Sequence, residues 1–365
     1  MSTRLKTIGI AGVAALASVA VGCGGSDGGG DSGSSGGGDN ANAKVAFLMP
    51  DQGSTRYELQ DNPLFQKKMK ELCSGCEVIY QNGDGDPAKQ QQQATSAITQ
   101  GVKVMVVDPV DAASLGSVVE QAKSRGIKVI AYDRPFPKQQ LDAYISFDNE
   151  KIGELISTSL MDHLKETGDA DKGGVLQING SPTDAAAGLI KKGEAAGIEA
   201  SGIKKLAEYD TPDWTPAKAQ DWTAGQISKY KDQIIGVVAA NDGTGGGAIS
   251  AFKAAGLDPV PPVTGNDAEL AALQRIVNGD QYNTINKPIK IVADAAAEAA
   301  YAFLQGDTPK TDTEVFGTKA QLFTPDVVTQ ENLKEQMIDS GLTKPADLCT
   351  KAYAAGCKKL GIAAN

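Results

Sequence analysis

Histidine is almost absent from this 365-residue chain, with His163 the only one. It falls midway along a helical pattern between Asp162 and Leu164, far from any strand end. That placement weakens any scheme built on a His general base or a Ser-His-Asp triad. Phosphate-binding loops are missing as well. Gly243-Thr-Gly-Gly-Gly247 follows an apolar run, but Ala248 stands where a dinucleotide fingerprint needs its third glycine. Those glycines read instead as a helix opening with close backbone packing. Asn82-x-Asp84-x-Asp86 begins like a calcium loop, yet Gln93 occupies the position of the closing Glu, so a polar loop leading into a helix is expected. Neither a metal nor a cofactor is implied. Excess positive charge is lacking too: the formal net charge is −10. An acidic chain is a poor partner for nucleic acid or an anionic lipid surface.

The apolar run Ile8–Val21 is too short and too rich in Ala and Gly for a permanent membrane helix. Preceded by Arg4 and Lys6 and followed by Gly22-Cys23, it reads as a removable export signal over residues 1–22. Its removal takes away Arg4 and Lys6 but no acid, moving the net charge from −10 to −12. Ala20-Val21-Gly22-Cys23 resembles the lipobox of bacterial lipoproteins, which implies lipidation of Cys23 and a lipid anchor to the outer face of the membrane. Gly24–Asn42 is almost entirely Gly, Ser, Asp and Asn, a composition that buries nothing, so residues 23–43 are expected to be a tether.

Four cysteines remain, as two close pairs, Cys73/Cys76 and Cys349/Cys357. Outside the cytoplasm such pairs read first as disulfides. Cys73-x-x-Cys76 also has zinc-finger spacing, but no His accompanies either pair.

From Lys44 onward, short apolar runs alternate with amphipathic stretches. Strand patterns fall at 44–49, 77–80, 102–107, 128–131 and 143–147, then restart at 174–178, 205–209, 234–239, 263–264 and 282–285. Helical patterns fill most gaps, including 88–100, 151–165, 184–200 and 288–305. Gln90–Gln93 reads as a solvated helix face. The length exceeds one ordinary core, and the two series predict two doubly wound parallel α/β lobes.

Open parallel sheets bind ligands beyond the carboxyl ends of their strands. The residues there are Asp51 and Thr55-Arg56-Tyr57, Asp133-Arg134, Asn179–Asp184, Asp210–Trp214, Asn241-Asp242, Asn266-Asp267 and Asn286-Lys287. Asp and Asn at such points are ordinary turn residues and helix caps. Arg56, Arg134 and Lys287 have no such use, because the helix dipole disfavours cations at helix starts. Acceptors and donors mixed in this way suit sugar hydroxyls, and Trp214 and Tyr57 could stack on a sugar's C–H face. An enzyme would need a paired acid and base, and Asp133 with Asp267 is the one pair to nominate.

Several segments, in one order, carry a resemblance: Lys128-Val-Ile-Ala-Tyr-Asp-Arg134, Tyr144-Ile-Ser-Phe-Asp-Asn-Glu-Lys-Ile-Gly153, Gly180-Ser-Pro-Thr-Asp184, Asn241-Asp242, Gly265-Asn-Asp-Ala268 and Lys287-Pro-Ile289. From about Lys44 to Leu342 the chain resembles the type I periplasmic sugar-binding proteins, especially the D-xylose-binding ones of bacterial ABC importers. The resemblance implies two lobes joined by a multi-strand hinge, a monomer that binds a monosaccharide and serves a membrane permease, and no catalysis. It implies sugar contacts from Arg56, Asp133, Arg134, Asp184, Asn241, Asp267 and Lys287, with Trp214 stacking and Tyr57 in place of a Trp. Asp148 and Asn149 match the first lobe crossing, and Pro288 lies near the second. A third crossing is expected near 311–316. The expected lobes are therefore 44–147 with about 288–312, and 148–287 with about 313–342, followed by a disulfide-containing tail over 343–365. Ala185-Ala186-Ala187 departs from a family pattern that often has Asn there. A sensory receptor of the same fold is the alternative. A sugar-responsive repressor would need a helix-turn-helix where this chain has an export signal.

Overall fold

The computed structural model describes residues 42–363, so the export signal, Cys23 and nearly all of the tether lie outside it. The fold begins one residue earlier than expected. Ala43 is already buried, and its carbonyl accepts from the Glu77 N–H at 2.9 Å.

The first lobe is built on a seven-stranded sheet. Its strands are β1 (Lys44–Met49), β2 (Glu77–Asn82), β3 (Val104–Val107), β4 (Lys128–Tyr132), β5 (Ala143–Phe147) and two late arrivals in the chain. In the second lobe β6 (Gly174–Asn179) lies between β7 (Lys204–Asp210) and β8 (Ile234–Ala239), all parallel. The run at 263–264 contributes only one bridge, Val237 to Val263, because prolines at 259, 261 and 262 remove ladder donors just before it. Beyond it, the Tyr282 N–H donates to the Val263 carbonyl at 2.8 Å. This leads to β9 (Asn283–Asn286), which pairs antiparallel with the last strand of the fold in a separate two-stranded sheet.

The late strands correct the expected lobe boundaries. β10 (Thr313–Val315) and β11 (Thr318–Phe323) belong to the first sheet, whose order is β10-β11-β5-β4-β3-β1-β2. β11 pairs in parallel with β5, Ala320 opposite Tyr144 and Phe323 opposite Phe147. The third crossing therefore follows Phe323, and not 311–316, and only β12 (Asp326–Thr329) joins the second lobe. The physical reason lies in Thr318-Lys-Ala-Gln-Leu-Phe323, whose alternation buries Thr318 and Ala320 against the edge that β5 would otherwise expose.

Helices α1 (Asn62–Leu72), α2 (Pro87–Thr99) and α3 (Gly116–Ser124) cover the first sheet, and α4 (Asn149–Glu166), α5 (Ala185–Ser201), α6 (Pro216–Tyr230), α7 (Asp242–Ala254) and α8 (Leu270–Asn278) the second. α9 (Ile289–Gln305) returns to the first lobe with an Ala-rich buried face. The starts of α2, α4, α5 and α7 carry side-chain caps from Asp86, Asp148, Asp184 and Asn241. His163, on α4, stacks on Tyr282 with ring centroids 4.3 Å apart.

The glutamine run is also corrected. Gln90 is fully buried: its amide N–H2 donates to the Met49 and Asp108 carbonyls at 3.2 and 2.7 Å, and its oxygen accepts from Val110 N–H at 2.8 Å. Gln90 thus fastens the carboxyl ends of β1 and β3 together. The tail folds too. Short helices α10 (Pro345–Leu348) and α11 (Ala354–Lys359), stapled by the Cys349–Cys357 disulfide, bury Leu348 and Ile362 against Leu273 and Val277 of α8. Cys73 and Cys76 form the other disulfide.

α4 and α5 touch backbone to backbone. A Cβ at Gly153 would lie 2.0 Å from the Ile190 carbonyl oxygen, and one at Gly193 2.1 Å from that of Glu150. Gly153→Ala is expected to cost about 1–3 kcal/mol by overpacking and to lower the melting temperature in differential scanning calorimetry. An unchanged transition would contradict this packing.

Candidate functional site: a cleft of matched charges

In the first sheet the strand order places a topological switch point between β1 and β3, and in the second between β6 and β8. One cavity between the lobes opens at those ends. All nine side chains singled out in the sequence line it: Arg56, Tyr57, Asp133, Arg134, Asp184, Trp214, Asn241, Asp267 and Lys287. Asp51, Gly53, Ser54, Asn149, Ala186, Ile190 and Asn266 complete the wall.

The first lobe supplies the two guanidinium groups. Arg56 is bound in a fork by Asp61, Nε to Oδ2 at 3.0 Å and Nη2 to Oδ1 at 2.8 Å, and its Nη1 lies 3.4 Å from Asp133. Burial opposes its charge, but Asp133 and Asp61 outweigh that and keep it firmly protonated. The Tyr132 hydroxyl also donates to Asp61. Asp61 has no exposed surface and closes a helical turn, Tyr57–Asp61, that leads into α1, so no strand-end reading could have found it. Arg134 donates through Nη2 to Asp51 at 2.9 Å and to the Tyr57 hydroxyl at 3.3 Å, and through Nη1 to the Pro109 carbonyl at 3.2 Å. Its Nε lies 3.0 Å from Asp184 of the second lobe and 3.4 Å from Asp108 of its own.

Asp133 takes a left-handed backbone, φ 58°, and its carbonyl accepts from the Tyr144 and Ser146 hydroxyls, both at 2.8 Å. Burial raises the energy of its carboxylate. Arg56, Lys287 and Arg134 more than offset this, and its pKa falls below the usual carboxylate range.

In the second lobe the capping and cleft readings prove compatible. Asp184 caps α5 with Oδ1, and its Oδ2 accepts from Trp214 Nε1 at 3.0 Å. The six-membered ring of Trp214 packs directly on Gly180, where a Cβ would come within 2.1 Å of it. Asn241 caps α7 through Oδ1, leaving its amide N–H2 as the group available to the cavity. Lys287 Nζ sits 2.6 Å from Asp267, which is 3.9 Å from Arg56 across the cleft. The buried Asn266 Oδ1 has no protein partner. Ser54 Oγ donates to Glu269 at 3.3 Å, a further bridge between lobes.

The crossings flank the cavity. The Asp148 N–H donates to the Phe323 carbonyl at 3.0 Å, joining the first and third. Asn149 begins α4 of the second lobe, yet its amide donates to Tyr144 at 3.1 Å in the first. Lys287-Pro288 is the second crossing, with Pro288 at the N-cap of α9. Among the described residues, no group of three His, Cys, Asp or Glu side chains is placed to hold a metal, and no helix is long and apolar enough to span a membrane.

Comparison with known proteins decides the family. The periplasmic binding protein domain family matches residues 45–308. The D-xylose-binding periplasmic protein of Escherichia coli is 35 % identical over 84 % of this chain and 92 % of its own length. The chain belongs to the type I periplasmic sugar-binding protein family. A Haemophilus influenzae D-xylose-binding periplasmic protein is also 35 % identical, over 82 % of this chain and 90 % of its own. Among solved structures, an ABC transporter solute-binding protein from Clostridium phytofermentans with bound β-D-glucose superposes with a TM-score of 0.76. The two are 27 % identical, over 84 % of this chain and 99 % of that one. The family is one of binding proteins, not enzymes, and its location is extracytoplasmic.

Asp242 sets the shape of the second-lobe wall. Buried at the start of α7, it accepts from Glu269 N–H at 2.9 Å, Thr284 Oγ1 at 3.0 Å and Gln281 Nε2 at 2.8 Å. Burial, then Glu269 and Asp267, push its pKa up to about 8. The folded state therefore holds this proton better than the unfolded one. The stability it contributes is full below about pH 4 and is lost as pH rises to about 8. Urea denaturation should show a shallower decline over that window in Asp242→Asn than in the wild type, and equal slopes would contradict the assignment.

Proposed function

We propose that this chain is a receptor that captures a monosaccharide, D-xylose or a similar aldose, in the interlobe cleft and delivers it to an ABC importer in the membrane. The observation that carries this reading is the lining of the cavity. Fixed carboxylates and cations from both lobes surround it, and Trp214 forms an indole wall. Each sugar hydroxyl both donates and accepts, and the paired charges offer it both kinds of partner. Asp133, Arg134, Arg56, Asn241, Asp267, Lys287 and Asp184 are the hydrogen-bonding groups, and Trp214 and Tyr57 the aromatic ones. Every cation already faces a carboxylate, which favours an uncharged ligand. Ala186 and Ile190 offer no hydrogen bond, so the ligand edge that meets them carries C–H, as the ring methylene of an aldopentopyranose does. The names of the xylose-binding relatives agree. Asp148, Asn149 and Pro288 serve as the hinge about which the lobes close.

Titration calorimetry of the soluble domain against pentoses and hexoses tests the reading. Saturable binding of xylose or a related aldose without turnover is expected, and no binding by any monosaccharide would overturn it. Trp214→Ala and Asp267→Ala should each lose binding at least tenfold, about 1.4 kcal/mol, while retaining a cooperative thermal transition. Wild-type affinity in both would remove these residues from the site.

The anchor belongs to the same proposal. Residues 1–22 direct export, Cys23 carries the lipid and the Gly/Ser tether holds a monomeric receptor beside its permease. Cys23→Ala is expected to move the protein from the membrane fraction to the soluble fraction. Retention in the membrane would sink the lipid anchor.

A further inference from the structure

Asp108 is a buried acid in this region that the sugar site does not use, and burial pushes its pKa well above the usual carboxylate range. It follows β3, has no exposed surface, and neither carboxylate oxygen has a hydrogen-bond partner. Its backbone is fixed: the N–H donates to the Leu48 carbonyl at 2.9 Å and its own carbonyl is held by Gln90. Its nearest cation is Arg134, with Nε 3.4 Å from Oδ1.

Three of the Arg134 contacts, to Asp51, Tyr57 and Pro109, stay within the first lobe and use Nη1 and Nη2. Only Nε faces the other lobe, where Asp184 Oδ2 lies at 3.0 Å. The same nitrogen therefore stands between two carboxylates, one on each side of the cleft. If the lobes separate, Asp184 leaves with α5. Asp108 cannot leave, because it is tied into the same sheet as Arg134.

We infer that Asp108 is a positioning residue for closure: it competes with Asp184 for Arg134 Nε and biases the ligand-free receptor towards the open form. In the open form Nε turns fully to Asp108, which gives a buried acceptor the partner it lacks in the closed one. In the closed form Asp184 takes the nitrogen, and Asp108 is left as a stranded acceptor whose desolvation works against closure. A ligand that bridges the lobes supplies the difference. The competition sets the fraction of receptor already closed, and apparent affinity scales with that fraction.

This inference rests on the closing-receptor reading, but its first test needs no ligand. Small-angle scattering of the ligand-free protein is expected to give a smaller radius of gyration for Asp108→Asn than for the wild type. Asp184→Asn, which removes the partner across the cleft, should not contract. With xylose, or whichever aldose the wild type binds, Asp108→Asn should bind about three- to tenfold more tightly, mainly through slower dissociation. A purely structural role would instead weaken binding and leave the radius unchanged, and that result would overturn the proposal. Should the variant fail to fold, the Arg134 Nε–H resonance of wild-type protein labelled with 15N-arginine decides the matter. It must shift between ligand-free and ligand-saturated forms, and an unchanged resonance would end the idea. If no sugar binds the wild type while Asp108→Asn still contracts, the functional reading fails and the inference about Asp108 stands.

Discussion

Two guanidinium groups, those of Arg56 and Arg134, are withdrawn from water in the cleft, and their charge has to be matched there. Leaving one buried charge uncompensated costs about 3–5 kcal/mol, a large part of a typical fold's net stability. The structure meets this demand with carboxylates from both lobes. Asp61, Asp133 and Asp51 come from the first, and Asp184 and Asp267 from the second. The position of one lobe on the other is thus partly an electrostatic matter. A sugar entering the cleft meets donors and acceptors already oriented against one another.

That arrangement depends on backbone placed with little freedom. Gln90 fastens the ends of β1 and β3, and the hydroxyls of Tyr144 and Ser146 hold the Asp133 carbonyl. Gly180, lacking a side chain, leaves the space that the Trp214 ring fills. In the second lobe, helix caps do double duty. Asp184 and Asn241 each spend one oxygen on a helix start and turn the rest of the side chain towards the cavity. The competition between capping and binding that the sequence poses is therefore no competition in the folded chain.

The crossings are tied to one another and to both lobes. The first and third are joined by a backbone hydrogen bond, Asp148 to Phe323, while Asn149 keeps an amide contact to the first lobe from the first turn of a second-lobe helix. β11 reinforces this by continuing the first sheet to the crossing itself. The folded tail, stapled by Cys349–Cys357, packs on α8 and so belongs to the second lobe.

The alternation of apolar runs and amphipathic stretches fixed the layer order and the strand ends, because hydrophobic periodicity and cap residues are local signals. Since strand ends converge in this topology, the residues after the strands include all nine side chains that line the cleft, and the family resemblance is what singles those nine out. Pairings between segments far apart in the chain had no local signal. The membership of β11 in the first sheet, the burial of Gln90, the hold of Asp61 on Arg56 and the place of Asp108 beside Arg134 all depend on such pairings. Residues 1–23 carry local signals that read as export and lipidation. Which charges face each other, and what that does to closure, only the tertiary structure decides, because desolvation and distance exist only once the chain has folded.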